Sequence, residues 1–321
     1  MKYRRLGRTA LQVSELCLGT MNFGPRTSEP ESHAILDEAV GLGINFIDTA
    51  NQYGGTLGVG TTETILGKWL AQHRARRDRI VLATKVYEPM SDDINDRGLS
   101  ARHIQNACDA SLKRLQVDHI DLYQFHHVDR TAPFEEIWQA ADRLIGQGKI
   151  TYLGSSNWPG WKIAQASERA RASHRLGLVS EQSLYNLIER RAELEVIPAA
   201  REYGLGVIIW SPLAGGLLAG GSGETGGRRQ SDAIKAARAV RSDQLVRFAQ
   251  LCAEIGEAPS AVALAWALHQ GGITAAIVGP SSRVQLAALA HVPELVLDSE
   301  ALAQIDAIFP PCGPAPEAYA W

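Results

Sequence analysis

Eight short, mostly apolar runs recur along the chain, and each stops at polar or small residues. Residues 16–18 end at Gly19 and Thr20, 44–47 at Asp48 and Thr49, and 80–83 at Thr84 and Lys85. Residues 120–125 end at His126 and His127, and 150–153 at a Gly-Ser-Ser-Asn segment containing Ser156 and Asn157. Residues 178–179 end at Ser180, Glu181 and Gln182, 207–210 at Ser211 and Pro212, and 275–278 at Gly279 and Pro280. Between them lie helical patterns: Ala101, Ile104, Cys108, Leu112 and Leu115 recur at spacings of three and four, as do Ile137, Ala140, Ala141, Leu144 and Ile145. Ser100 and Thr62 stand where N-caps belong. Apolar strands alternating with helices imply a parallel sheet covered on its outer face. Eight such units predict an α/β fold, a closed (β/α)8 TIM barrel, as one domain over residues 1–321.

Composition narrows the function. The 321 residues are 45% hydrophobic with a formal net charge of −3, so the broad basic footprint of a nucleic-acid binder is absent. No apolar stretch is long enough to span a bilayer. The basic N-terminus lacks the long apolar stretch of a signal peptide. Cys17, Cys108, Cys252 and Cys312 are scattered, without a CxxC pair, and read as reduced thiols of a cytoplasmic protein. Neither their spacing nor their neighbours match a zinc site, so no metal is expected. Residues 215–241 are glycine-rich, then basic, which suits either a mobile lid or a solvated insertion. Helical patterns follow at 243–254 and 259–269.

In a (β/α)8 barrel the C-terminal ends of the strands form the catalytic face. Asp48, Lys85, His126, Ser156, Asn157 and Gln182 would converge there, with Tyr53 just after Asp48. A phenol is a poor proton donor at neutral pH unless a cation stabilises its phenolate. A lysine held by an aspartate supplies that cation, and a histidine can hydrogen-bond a substrate oxygen. The set suits carbonyl reduction, and since nothing in it carries a hydride, a cofactor is required. A Schiff-base aldolase using Lys85 is the competing chemistry, but it gives Gln182 and Trp210 no task.

Seven segments carry a resemblance: GINFIDTANQYG (43–54), LATKV (82–86), DLYQFHHVD (121–129), GKITYLGSSNW (148–158), SEQSLYNLIERR (180–191), WSPLAGGLLAGG (210–221) and IVGPSSRVQL (277–286). Their order and content resemble the aldo-keto reductase superfamily across nearly the whole chain. The resemblance implies a (β/α)8 barrel with an N-terminal hairpin and extra helices near the C-terminus. It also implies NADP(H) as cofactor and a small carbonyl substrate, leaving the oligomeric state open.

By the same resemblance, Tyr53 is the general acid, Lys85 tunes it, Asp48 pairs with Lys85 and His126 orients the carbonyl. Ser156, Asn157 and Gln182 match the residues that hold the nicotinamide carboxamide, and Trp210 the aromatic ring against the nicotinamide. Ser211, Pro212, Leu213, Gly215 and Leu217 match the pyrophosphate loop, and Gly19, Thr20, Met21 and Asp48 join the cofactor set. At the adenosine end the match covers Gly279, Ser281, Arg283 and Gln285. Ser281 replaces a common basic residue there, so Arg283 is expected to meet the 2′-phosphate, with Arg228 or Arg229 as helpers. Ala288 and Leu289 stand where the family commonly has adenine-gripping residues.

Substrate contacts are expected from Phe23, Tyr53, Tyr87, His126 and Trp158, with Asn51 and residues 215–241 nearby. The segments MNFGPRTSEPESHAI and DLYQFHHVDRTAPFEEIWQA resemble bacterial sugar-nucleotide reductases of deoxysugar biosynthesis, which act on keto or enoyl NDP-hexoses. A NADPH-binding regulatory subunit with little turnover is the reading from another class.

Overall fold

In a computed structural model, which describes residues 1–72, 74–220 and 232–320, the eight apolar runs close into one barrel. Two strands, β1 (Tyr3–Arg5) and β2 (Gln12–Ser14), form an antiparallel hairpin. The barrel strands are β3 (Leu16–Gly19), β4 (Phe46–Asp48), β5 (Val81–Val86), β6 (Ile120–Phe125), β7 (Ile150–Ser156), β8 (Leu178–Leu184), β9 (Gly206–Trp210) and β10 (Ile273–Val278). All are parallel, in chain order, and β10 closes on β3.

The period of two along each strand separates two cores. Inward residues Cys17, Phe46, Val81, Ala83, Leu122, Ile208 and Ala275 fill the barrel together with Leu6 and Val13 of the hairpin. The hairpin thereby closes the N-terminal end. Outward residues such as Leu16, Ile47, Leu82 and Tyr123 pack with helix residues, including Ile35, Trp69, Ile104 and Trp138, in a larger outer layer. Toward the C-terminal ends the inward positions turn polar, at Asp48, Lys85, Gln124, Ser156 and Gln182. Strands β4 to β8 therefore give the interior a polar upper half above an apolar lower half.

Ser100 caps the helix Ala101–Leu115, its Oγ accepting from His103 N at 3.2 Å. Thr62 does not cap. The helix Thr61–Gln72 starts one residue earlier, and the buried Thr62 hydroxyl donates to the Phe23 carbonyl at 3.0 Å. The expected helices near the C-terminus are Ser242–Ile255 and Pro259–His269. Part of the expected long loop is helical, with 3-10 turns over Ala214–Ala219 and an α-helix over Asp232–Val240. Arg228 and Arg229 lie outside the described residues. All four cysteines are free thiols, only Cys312 being exposed. Among the described residues no single helix is long and apolar enough to cross a membrane.

Helices Thr61–Gln72 and Ala101–Leu115 meet unusually closely at Gly67, where an added Cβ would stand 2.1 Å from the Arg114 carbonyl oxygen. The contact is clamped by Glu63, fully buried, which accepts from Thr84 Oγ1 at 2.6 Å and Arg114 Nε at 2.8 Å. A methyl group at Gly67 would have to push backbone apart. Gly67→Ala is expected to cost about 1–3 kcal/mol in urea unfolding; an unchanged midpoint would show that the helices can separate freely.

Candidate active site

The polar half of the interior is organised around one ion pair. Lys85 is fully buried, and its Nζ lies 2.5 Å from Asp48 Oδ2. Strand register explains the meeting: β4 and β5 are neighbours, with Asp48 beside Ala83, and Lys85 is the next inward position up β5. The ammonium also donates to the Thr49 carbonyl at 2.9 Å and to Tyr53 Oη at 3.5 Å. The other Asp48 oxygen accepts from Gln124 Nε2 at 3.0 Å and Gln182 Nε2 at 2.8 Å. Burial opposes charge on Lys85, but Asp48 and then Tyr53 outweigh it, holding the ammonium above the ordinary lysine value.

His126 stands edge-on to Tyr53, with ring centroids 6.0 Å apart. It is buried, and its Nδ1 has no partner among the described residues. Burial, then the Lys85 ammonium, then His127 pull its pKa down to about 2, so the imidazole is neutral.

Past the strand ends, Asn157 ties three strands together. It adopts a left-handed φ of 59°, its amide donates to the His126 carbonyl and Ser156 Oγ at 3.1 Å each, and its Oδ1 accepts from Trp210 Nε1 at 3.0 Å. Ser211, directly after Trp210, is also left-handed, at 55°, as are Ala214, Gly215 and Gly216. Non-glycine residues held so cost roughly 1–3 kcal/mol each and cluster at working sites.

A model of the Aldo/keto reductase family matches residues 15–309. The chain belongs to the aldo/keto reductase family. It is 50% identical over 331 aligned positions, covering both chains in full, to an "Uncharacterized oxidoreductase YrpG" of Bacillus subtilis (strain 168). It is 34% identical to a versiconal hemiacetal acetate reductase of Aspergillus parasiticus, over 84% of this chain and 85% of that one. It is 32% identical to a probable voltage-gated potassium channel subunit beta of Oryza sativa subsp. japonica, over 96% of each. The family and the reductase and oxidoreductase relatives make this chain an oxidoreductase of carbonyl-reducing type.

Within this aldo/keto reductase barrel, Asp48, Tyr53, Lys85 and His126 come together, joined by Ser156, Asn157, Gln182 and Trp210. Thr20 joins through a hydrogen bond from its hydroxyl to the Asp48 carbonyl at 3.0 Å, Gly19 ends β3 beside Asp48, and Met21 is exposed nearby. Pro212 and Leu217 are buried, while Leu213 and Gly215 are half-buried. Gly279, Ser281, Arg283 and Gln285 follow β10 at the same barrel end. Asn22 Nδ2 donates to the Gly279 carbonyl at 2.9 Å, Gln285 Oε1 accepts from Ser281 N at 2.8 Å, and Arg283 is exposed. Ala288 is exposed and Leu289 half-buried.

Two residues expected to contact substrate are buried. Phe23 is fully buried in the outer layer, and Trp158, almost fully buried, stacks at 6.1 Å on Phe125 behind β6. Aromatic rings next to strand ends can turn either way, and here apolar neighbours on the helix side take both. Tyr87 is half-buried, edge-on to His127 at 5.3 Å. A cleft of about 650 Å³ lies away from this mouth, lined by Tyr185, Glu193, Ile197, Arg201 and Gln270. Two of its polar groups serve each other, Glu193 accepting from Tyr185 Oη at 2.7 Å, and Glu193 is also paired with Arg190 Nε at 2.7 Å.

Sequence reasoning missed Gln124 and Glu181. Gln124 lies two residues before His126 on the same face, which the strand period would have flagged. Glu181 points outward and carries no signal in sequence. Fully buried, it accepts from Ser155 Oγ at 2.5 Å, Ser183 Oγ at 2.7 Å and Trp158 N at 3.1 Å, pinning the turn that holds Asn157.

Burial pushes Glu181 up to about 7, against the pull of those hydrogen bonds. Folding therefore favours its protonated form. The stability it contributes is full below about pH 4.5 and is lost as pH rises to about 7. The stability difference between the native chain and Glu181→Gln, measured by urea unfolding, is expected to shrink over that range and then level off. A constant difference would place the charge on Glu181 throughout.

Proposed function

We propose that the chain reduces an aldehyde or ketone to an alcohol with NADPH, Tyr53 giving the proton. The observation that carries this reading is the Tyr53 hydroxyl 3.5 Å from the buried Lys85 ammonium, itself paired with Asp48 at 2.5 Å. A phenolate left behind by proton transfer is stabilised by that ammonium, and the low local dielectric strengthens the effect. His126, across from Tyr53, can donate to the carbonyl oxygen and fix its orientation. Gln124 and Gln182 hold Asp48 so that Lys85 cannot swing away.

The residues present fit a nicotinamide nucleotide. Ser156, Asn157 and Gln182 bring a hydroxyl oxygen and two amide oxygens to one strand-end cluster, acceptors suited to a carboxamide, while their N–H and O–H groups are engaged with His126, Asp48, Gln124 and each other. Trp210, half-exposed beside them, offers a ring plane. Glycines and left-handed residues over 211–216 let backbone come close to phosphates, and Gly19, Thr20 and Met21 line the same end. Gly279, Ser281 and Gln285 would meet the adenosine, and exposed Arg283 the 2′-phosphate. When bound, the cofactor supplies the hydride that no side chain here can give.

The substrate class is a small carbonyl compound, open to sugar-like molecules. The NDP-hexose reading rests on two segments around 21–35 and 121–140. A second reading, a nucleotide-binding regulatory subunit with little turnover, draws on the relatives from rice and from Schizosaccharomyces pombe, both named as channel beta subunits. The complete Asp48, Tyr53, Lys85 and His126 set favours turnover.

Tyr53→Phe is expected to lower carbonyl reduction by at least about a hundredfold while tryptophan quenching by NADPH persists. Retained turnover would remove Tyr53 as the proton donor. Arg283→Ala is expected to weaken NADPH binding and leave NADH binding nearly unchanged in the same titration. Equal losses for both nucleotides would show that Arg283 does not read the 2′-phosphate.

A further inference from the structure

The rim of the mouth holds three metal-ligating side chains that the proposed reduction does not need as a group. Glu88 leaves β5 and His126 and His127 leave β6, neighbouring parallel strands, so both loops emerge at the same barrel end. His127 Nε2 lies 3.0 Å from Glu88 Oε1. The His126 and His127 rings lie nearly parallel, 11° apart, with centroids 5.0 Å apart. One ligand atom from each of the three lies within 4.8 Å of the others. Glu88 and His127 are 29% and 41% exposed, so an ion can reach them, whereas His126 is buried. The unpartnered Nδ1 of His126 means that no hydrogen bond there among the described residues must be surrendered.

We propose that Glu88, His126 and His127 form an inhibitory site for a divalent borderline metal ion, best suited to Zn2+. Two imidazoles and one carboxylate, with a fourth position open to water, are a common zinc donor set. Calcium and magnesium prefer all-oxygen shells and fit it poorly. Zinc–nitrogen bonds of about 2.0–2.1 Å require the ligands to draw together slightly. The partly exposed Glu88 and His127 can supply that movement while His126 stays in place. Spacing and residue type along the sequence predict no zinc site. Here the ligands come from two loops that only the barrel brings together, 38 positions apart from Glu88 to His126.

An ion so bound takes a lone pair of His126 and fills space beside Tyr53. Inhibition rests on the carbonyl-reductase reading, since the ion and its bound water would occupy the approach to His126 and Tyr53; metal binding itself does not. The test is calorimetric titration of the tag-free chain with Zn2+, on a Cys312→Ser background that removes the exposed thiol. One site per chain is expected, with no comparable heat from Ca2+ or Mg2+. Glu88→Gln and His127→Ala should each weaken Zn2+ binding by about tenfold or more. Zn2+ held as tightly by both variants as by the parent, or Ca2+ bound as well as Zn2+, would overturn the site.

A second readout is carbonyl turnover, expected to fall with Zn2+ in competition with the carbonyl substrate, to recover with a chelator, and to resist Zn2+ in His127→Ala. Calorimetric losses in a chain without turnover would support the site and sink the reductase reading. Turnover with unaltered calorimetry in both variants would do the reverse.

Discussion

The buried pair between Lys85 and Asp48 is the constraint to which the rest of the interior answers. An ammonium with no exposure to solvent is tolerated only because a carboxylate stands 2.5 Å away and the Thr49 carbonyl accepts a second bond. The carboxylate in turn needs the amides of Gln124 and Gln182 to satisfy its other oxygen. Removing either charge would leave the other desolvated, at a cost of about 3–5 kcal/mol. The pair thus binds β4, β5, β6 and β8 to one geometry, and Tyr53 takes its place against a support that cannot relax.

A second brace lies one step further out. Asn157, in a strained conformation, links the loop after β7 to the His126 backbone and the Trp210 indole. Glu181 holds that turn from behind the strand. Catalytic face and supporting layer are therefore coupled through one strand, with Gln182 facing inward and Glu181 outward at consecutive positions. The rule that successive side chains point to opposite faces gives each a different duty.

Much of this is legible in the sequence. Apolar runs with polar ends are what a packed barrel with one polar mouth requires, and all eight appear as barrel strands. Asp48, Lys85, Gln182, Ser156 and Asn157 were visible because each directly ends or closely follows such a run. Glu181 was invisible because an outward carboxyl is ordinarily solvated, and only the folded packing leaves this one fully buried. Phe23 and Trp158 show a related effect: an aromatic residue at a strand end has two apolar destinations, and both rings are buried in the outer layer. Thr62 looked like a cap because it precedes an apolar pattern, yet its hydroxyl is spent on the Phe23 carbonyl.

The N-terminal hairpin has a consequence for traffic through the molecule. Leu6 and Val13 stopper one end of the barrel, and the packed lower interior leaves no passage through the axis. Among the described residues, the open approach to Lys85 and Tyr53 is from the polar mouth. Approach to the polar interior is thus made one-sided by a short ribbon of strand at the opposite pole, one that touches none of those polar groups.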